Sequence, residues 1–264
     1  MVFISVHADN GGDVIFCSSD DVRFYIRCQD LEYLTEGFPA GDQISSSEVV
    51  PLAEKASTLE LLFQFTQRNT PLPDLDDVNF KQLMDLAEAA EKYVVHSAIR
   101  VCVMRMKDFL DVEHAEEIFN FAARHNGHES LIFAVAPMFV GKELEDVAYI
   151  MPADLYIPWS MYREQWLKIL SHLTCPLDVF NPNSKKKLWR TRILAAKREI
   201  MANPQLIHHL EELIELEKDT RGPKGDDDMN AVLFLWRDGI VEQVKRMRTL
   251  KSFVLEHRQR KAVI

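Results

Sequence analysis

Histidines, cysteines and paired carboxylates are the residues of this chain best suited to chemistry, and their spacing decides what each group can do. His125-Asn-Gly-His128 with His114 upstream, and His172 three residues before Cys175, supply nitrogen and sulfur donors. A metal ion requires three or four such ligands converging within a supporting shell. His125 and His128 end a helical pattern, where imidazoles meet the helix dipole or water, so both read as cap or surface groups. His208-His209 are neighbours in a helical segment and point in different directions. Cys17, Cys28, Cys102 and Cys175 show no two- or four-residue pairing. They read as buried free thiols in a reducing compartment. Glu116-Glu117 and Glu211-Glu212 are adjacent on helices and read as solvated faces. The sequence carries no Gly-x-Ser-x-Gly elbow, no phosphate-cradling Gly-x-x-x-x-Gly-Lys-Ser loop and no Gly-x-Gly-x-x-Gly. The expectation is no catalytic residue, no cofactor and no metal. An enzyme of unidentified type, its groups gathered from distant positions, is the alternative of another class.

Two basic clusters carry a second kind of chemistry. Lys185-Lys186-Lys187 with Arg190 and Arg192 fits a nuclear import signal or a nucleic-acid patch, or an exposed helix start, which is the reading adopted. Lys245, Arg246, Arg248, Lys251, Arg258, Arg260 and Lys261 near the C-terminus favour a helix dipole without a ligand. The chain is acidic, with 31 Lys and Arg against 41 Asp and Glu and a formal charge of −10, which disfavours binding to a phosphate backbone. No apolar run reaches the roughly 18 residues of a membrane helix, so no membrane partner is expected. MVFISVHADNGGDVIF places no basic leader before an apolar stretch, which points to an intracellular chain, cytoplasmic or nuclear.

Strand-like pattern is confined to the first fifty or so residues. Val14-Ile15-Phe16-Cys17 and the alternating Val22 to Ile26 flank the turn residues Ser18-Ser19-Asp20-Asp21, which predicts a β-hairpin. A helix over about Asp30 to Phe38, stopped by Pro39 and Gly41, and an edge strand at Val49-Val50-Pro51-Leu52 come next. From Ser57 the period is helical. Ser57 with Glu60 and Asn79 with Gln82 fit capping boxes, each leading into a stripe, Leu59, Leu62, Phe63, Thr66 and Leu83, Leu86, Ala87, Ala90. Ile99, Cys102, Val103, Met106 and Phe109 form the next stripe, and Asp111 caps a helix with Ala115, Ile118, Phe119 and Ala122 inward.

Beyond these the helical stripes are weaker: Leu131, Ile132, Val135 and Phe139, with Pro137 as a kink or the mark of the last turn, then Leu144, Val147 and Ala148. Pro158 opens a helix burying Trp159, Tyr162, Trp166, Leu170 and Leu173. Trp189, Ile193, Ala196 and Ile200 share a face, and Asn203-Pro204 starts a helix with Leu206, Leu210 and Leu213. Gly, Pro and clustered charge at Thr220 to Asp228 mark a linker. One last helix is expected from about Asn230 to His257. Its seam of Leu233, Trp236, Ile240, Gln243, Met247, Leu250 and Val254 suits an intermolecular coiled coil or, the reading preferred, packing on the helical region.

The order hairpin, helix, edge strand, then three helices resembles the BTB/POZ fold. Asp13-Val14 stands where that family enters its first strand, and Phe24-Tyr-Ile26-Arg-Cys-Gln-Asp-Leu31 is similar to its second strand and helix start. Val50-Pro51-Leu52 and Leu59-Glu-Leu-Leu-Phe63 resemble the third strand and next helix, and Leu86-Ala-Glu-Ala-Ala-Glu-Lys-Tyr93 resembles its Leu-x-x-Ala-Asp-x-Tyr segment. Ile157-Pro-Trp159-Ser-Met-Tyr162-Arg-Glu-Gln-Trp166 is similar to a Trp/Tyr-rich helix of fungal BTB-domain proteins. The family's basic residue after the strand is replaced by Cys28, with Arg27 before it, and the chain has no kelch repeat or zinc finger beyond this segment.

The fold class expected is therefore α+β and mainly helical: a flank over 1-12, a BTB/POZ-like domain over 13-109, and an all-α region over 110-264 with a linker near 219-229. The resemblance implies a non-enzymatic adaptor that forms a homodimer or recruits a protein partner, possible ones including a cullin-type ubiquitin ligase. A transcriptional or chromatin-associated regulator is the alternative. The family's dimer surface maps onto Leu31, Leu34 and Phe38, with Asp13 and Arg27 beside a pocket; each of these also fits plain core, which for Leu31 is the preferred reading.

Overall fold

A computed structural model of the chain describes residues 5–6, 12–38, 49–68, 70–125, 127–173, 184–213 and 227–262, with backbone alone at 5–6, 184–189, 205, 208, 211 and 227–233. The fold is α+β and mainly helical. Two compact units divide it, one comprising Met1–Phe109 and Arg124–His128, the other Leu110–Ala123 and Glu129–Ile264. Among the described residues no helix is long and apolar enough to cross a membrane.

The first unit is built on a mixed sheet of order β1-β3-β2-β4, formed by β1 (Ser5–Val6), β2 (Val14–Cys17), β3 (Arg23–Ile26) and β4 (Val49–Pro51). The hairpin forms in the expected place, with β2 antiparallel to β3 and Val14 opposite Ile26 and Phe16 opposite Phe24. Alternation sends Val14, Phe16, Phe24 and Ile26 into the core. Ser18 closes the turn by accepting from the Val22 amide at 2.9 Å. The edge strand β4 runs parallel to β2, with Val50 beside Phe16.

Helix α1 (Cys28–Leu34) starts two residues earlier than its sequence pattern and stops four earlier. The Asp13 carboxylate accepts from the Cys28 amide at 2.6 Å and so fixes the start. At the other end, the Thr35 amide and hydroxyl both donate to the Leu31 carbonyl at 2.8 Å.

Helix α2 (Ala56–Gln64) buries Leu59, Leu62 and Phe63. Ser57 does not cap it: the helix begins at Ala56, and Asp20 from the hairpin turn accepts from the Ala56 amide at 2.8 Å. Helix α3 (Phe80–Lys92) does carry the expected capping box, formed by Asn79 and Gln82. Helix α4 (His96–Arg105) buries Ala98 and Cys102 and continues into a tight 3₁₀ turn over Met106–Phe109. Burial pushes the Cys102 thiol up to about 12, so it stays protonated.

Helix α3 ends in a Schellman arrangement, with the Val94 amide on the Glu91 carbonyl and the Val95 amide on the Ala90 carbonyl. The residue in the left-handed position is Val94, at φ 52°, where glycine is usual and a β-branched side chain is strained.

The second unit contains α5 (Ala115–Arg124, of which the final residue belongs to the first unit), α6 (Glu129–Val135) and α7 (Leu144–Ile150). Asp111 caps the approach to α5 by accepting from the His114 amide at 2.9 Å. Pro137 coincides with a change from α6 to a 3₁₀ turn over Ala136–Phe139. In α7 only Val147 of the expected face is buried; Leu144 and Ala148 face solvent. Helix α8 (Ala153–His172) begins five residues before Pro158, which therefore lies inside it and not in the first turn. Its predicted face of Trp159, Tyr162, Trp166 and Leu170 is buried, and the Trp159 indole donates to the Ala136 carbonyl at 3.0 Å.

Helix α9 (Ser184–Ala202) buries Ile193, Ala196 and Ile200, and Pro204–His209 forms a 3₁₀ turn before the short α10 (Leu210–Leu213), where one helix was expected. Most of the predicted linker at 219-229 lies outside the described residues, and 227–229 already belong to α11 (Asp227–Lys245).

The single last helix is corrected to two, α11 and α12 (Leu250–Ala262). Gln165 of α8 donates to the Arg248 carbonyl at 3.2 Å and accepts from its amide at 3.1 Å, which satisfies the backbone groups opened by the break. Thr249 then accepts from the Ser252 amide through its hydroxyl. Ile240, Leu250 and Val254 are buried and Gln243 meets His172 at 3.0 Å, so these seam positions pack inside this unit, while the Leu233 side chain lies outside the described residues.

The caps and the strain lead to two stability predictions. In urea unfolding, Asp20→Ala costs about 1 kcal/mol whereas Ser57→Ala stays within about 0.5 kcal/mol, because Asp20 and not Ser57 holds the Ala56 amide. Val94→Gly ranges from neutral to a gain of about 1 kcal/mol, since relief of left-handed strain offsets the added freedom of the unfolded chain. A Val94→Gly variant that unfolds well below wild type removes the strain argument.

Candidate functional site

The surface around α1 assembles from three separate stretches of the first unit. Arg68 reaches from beyond α2 to α1: its Nε lies 3.2 Å from Asp30, and its Nη2 donates to the Gln29 carbonyl at 2.9 Å. Its guanidinium also sits 4.6 Å from the ring centre of Tyr33, a side chain that is 76% exposed. Beside this pair is a concavity of about 200 Å³, with Arg27, Asp30, Gln67 and Arg68 on its rim and Phe63 and Thr66 beneath. Thr66 is nearly fully buried and donates to the Phe63 carbonyl at 2.9 Å, which rigidifies the base.

The five residues picked from sequence separate into two groups. Leu31 is 2% exposed and belongs to the core. Phe38 stacks on Tyr93 at 4.3 Å, nearly parallel, and also meets Phe16 and Phe63. Asp13 serves the start of α1. Arg27 is exposed and lines the concavity, and Leu34 is half-buried on α1. Tyr33, Gln67 and Arg68 were missed. Nothing local marks them, because Arg68 meets α1 only through the fold.

A second, wider hollow of about 460 Å³ lies against α3, lined by Glu54, Asp85, Glu88, Glu91, Lys92 and His125, among others. Arg124 and His125 both meet Glu88, at 2.6 and 2.9 Å, and His128 meets Glu91 at 2.5 Å. These histidines thus bridge to carboxylates of α3, beyond the cap role expected from their spacing. Among the described residues no group of three or more His, Cys, Asp or Glu has the arrangement to hold a metal ion. His114 binds its own cap residue Asp111, and the Cys175 side of the His172 pair lies outside the described residues. So do the side chains of Lys185 to Lys187, although α9 does start at Ser184. In the C-terminal basic run, Arg248 and Arg260 pair with Glu256, and Arg258 with Glu129.

At one wall of the wide hollow, Glu54 accepts from Lys92 at 2.7 Å and from the Tyr93 hydroxyl at 2.6 Å. Burial works to raise the Glu54 carboxyl, but these two hydrogen bonds outweigh it and hold the group below its usual range. Burial, with Glu54 beside it, pushes the Tyr93 hydroxyl up to about 12.

No protein-family model and no curated protein matches the chain.

The Glu54 pair gives a pH prediction. A depressed carboxyl contributes stability above its unfolded value of about 4.5, and that contribution disappears as pH falls through the lower folded value. Glu54→Gln should therefore flatten the acid side of the stability curve, measured by urea midpoints across pH. Tyr93 has the opposite sign: its contribution is complete below pH 10 and fades toward 12. An acid limb unchanged in Glu54→Gln would show that the pair does not contribute.

Proposed function

We propose that the first unit is a BTB/POZ-like interaction module and that the chain acts as a non-enzymatic adaptor, self-associating and recruiting a protein partner. The observation that carries this reading is the segment Leu86 to Tyr93. Leu86, Ala87, Ala89, Ala90 and Tyr93 are all buried, while Glu88, Glu91 and Lys92 turn outward to ion pairs. Set on the family's seven-residue Leu-x-x-Ala-Asp-x-Tyr pattern, the segment keeps Ala90 and Tyr93, with Ala87 at the leucine position and Glu91 at the aspartate position, and it comes after a hairpin, a helix and a parallel edge strand in the same order. A transient partner surface also suits the chemistry of α1: a Tyr and an Arg in contact, residue types enriched where binding energy concentrates.

Self-association through α1 is tested by light scattering coupled to size exclusion over a wide concentration range. A dimer mass is expected for the full chain, and Leu34→Asp should shift it to monomer while circular dichroism stays unchanged. A monomer at every concentration would reject self-association. Recruitment of a cullin-type ligase is tested separately by pull-down, and no cullin recovered at any salt concentration rejects that branch.

A further inference from the structure

The stretch between α5 and α6 sets a reactive pair of residues inside a two-point tether. Its sequence is Arg124-His125-Asn126-Gly127-His128, and it belongs to the first unit together with α3. His125 meets Glu88 at 2.9 Å and His128 meets Glu91 at 2.5 Å. The two imidazoles therefore hold the stretch to carboxylates one helical turn apart on α3. Arg124 adds a further contact, to Glu88 at 2.6 Å. Asn126 itself lies outside the described residues, but its neighbours on both sides are described. Gly127 is exposed and adopts φ 106°, and a Cβ at this position would meet nothing within 4 Å. The sequence has one other Asn-Gly pair, Asn10-Gly11, which lies outside the described residues.

We infer that the Asn126–Gly127 pair is a site of spontaneous deamidation, and that its isoaspartyl product loosens the tether to α3. An asparagine side chain is open to attack by the backbone nitrogen of the residue after it. The Gly127 nitrogen gives its proton to a base and bonds to Asn126 Cγ; the Cγ–Nδ2 bond breaks and ammonia leaves. Water then opens the cyclic imide at either of its two carbonyls, giving aspartate or isoaspartate. Water is the one co-reactant, and nothing is oxidised or reduced. A side chain on the following residue ordinarily hinders the attack. Here there is none, and the space where it would stand is open. In the isoaspartyl product the backbone runs through the former side chain, which adds one methylene between His125 and His128. Either product also adds a carboxylate between two histidines that already face Glu88 and Glu91. The change falls between two anchored points, so it is taken up by the ion pairs, which are weak individually. The reaction is independent of the reading of the first unit as an interaction module.

The test is incubation of the full chain at mildly alkaline pH, with samples digested by trypsin over time. Cleavage after Arg124 and Lys142 releases a peptide whose single side-chain amide is that of Asn126. Mass spectrometry should show this peptide gaining the difference between an amide and an acid, in two chromatographic forms. One form should accept a labelled methyl group from S-adenosylmethionine in the presence of a protein-isoaspartate methyltransferase. Asn126→Gln should abolish the conversion and Gly127→Ala should slow it. A synthetic peptide spanning the same stretch, with and without the alanine, separates the chemistry from any effect of that substitution on folding. After conversion the urea midpoint of the wild-type chain should fall, whereas Asn126→Gln incubated in parallel should keep its midpoint. An Asn126 amide that survives while the synthetic peptide converts overturns the site. So does conversion without isoaspartate, or conversion as fast in Gly127→Ala as in wild type. Equal midpoints before and after conversion, or the same fall in Asn126→Gln, overturns the effect on the tether.

Discussion

The aromatic cluster around Phe63 is the interaction on which the first unit depends. This one side chain of α2 meets Phe16 of β2 at 5.6 Å, Phe24 of β3 at 5.3 Å and Phe38 beyond α1 at 5.8 Å. Phe38 in turn stacks on Tyr93 at the end of α3. Sheet, α1, α2 and α3 are therefore joined through a chain of rings, each contact adding about 0.5–1.5 kcal/mol beyond its burial. The approach needs Gly37. Its amide donates to the Tyr93 carbonyl at 3.0 Å, and a Cβ there would lie 2.6 Å from the Tyr93 Cα. A side chain at 37 would push Phe38 off Tyr93 and loosen the ring contacts on both sides of Phe63.

Helix α3 divides its faces as sharply as the cluster divides inside from outside. Its apolar face is closed by Leu83, Leu86, Ala87 and Ala90, and its charged face sends Glu88 to Arg124 and His125, Glu91 to His128, and Lys92 to Glu54. Exposed ion pairs of this kind each contribute little, about 0–1 kcal/mol. Their value is positional: they tie α3 to the loop before α2 and to the stretch Arg124–His128, which is remote in sequence. Glu54 goes further because Tyr93 joins the pair, so the ring that anchors Phe38 is also held by its hydroxyl.

Features legible in the sequence are those that near neighbours determine. The hairpin arises from alternation and turn residues within thirteen positions, and the Asn79–Gln82 cap from groups three apart. Errors arose where a distant residue competes. Ser57 had the right spacing for a cap, yet Asp20 takes the amide from 36 positions away. The last helix had an unbroken stripe, and it breaks because Gln165, 83 positions away, supplies partners for the Arg248 backbone. The site divides in the same way. Arg27 was found from its place after the strand, whereas Tyr33 and Arg68 carry no local mark of being a pair. Family position maps Leu31 and Phe38 to a dimer surface with plain core as the open alternative, the preferred one for Leu31, and burial and ring stacking assign both to the packing of the unit.

The surface beside α1 is shaped by the same constraints that fix the core, and this bears on how it can bind. Asp13 pins the first turn of α1, Thr35 and Leu31 close its last, and Gly37 ties the chain leaving α1 to the end of α3. Phe63, the centre of the ring cluster, is at once the floor of the concavity. Tyr25 is carried on β3, and Arg68, which lies beyond the end of α2, is oriented by Asp30 and the Gln29 carbonyl of α1. Binding to such a surface avoids most of the cost of ordering side chains, about 0.5–1.5 kcal/mol for each one immobilised. The posture of Arg68 thus follows from α1, whose own ends are fixed by Asp13 and Thr35 above the aromatic core.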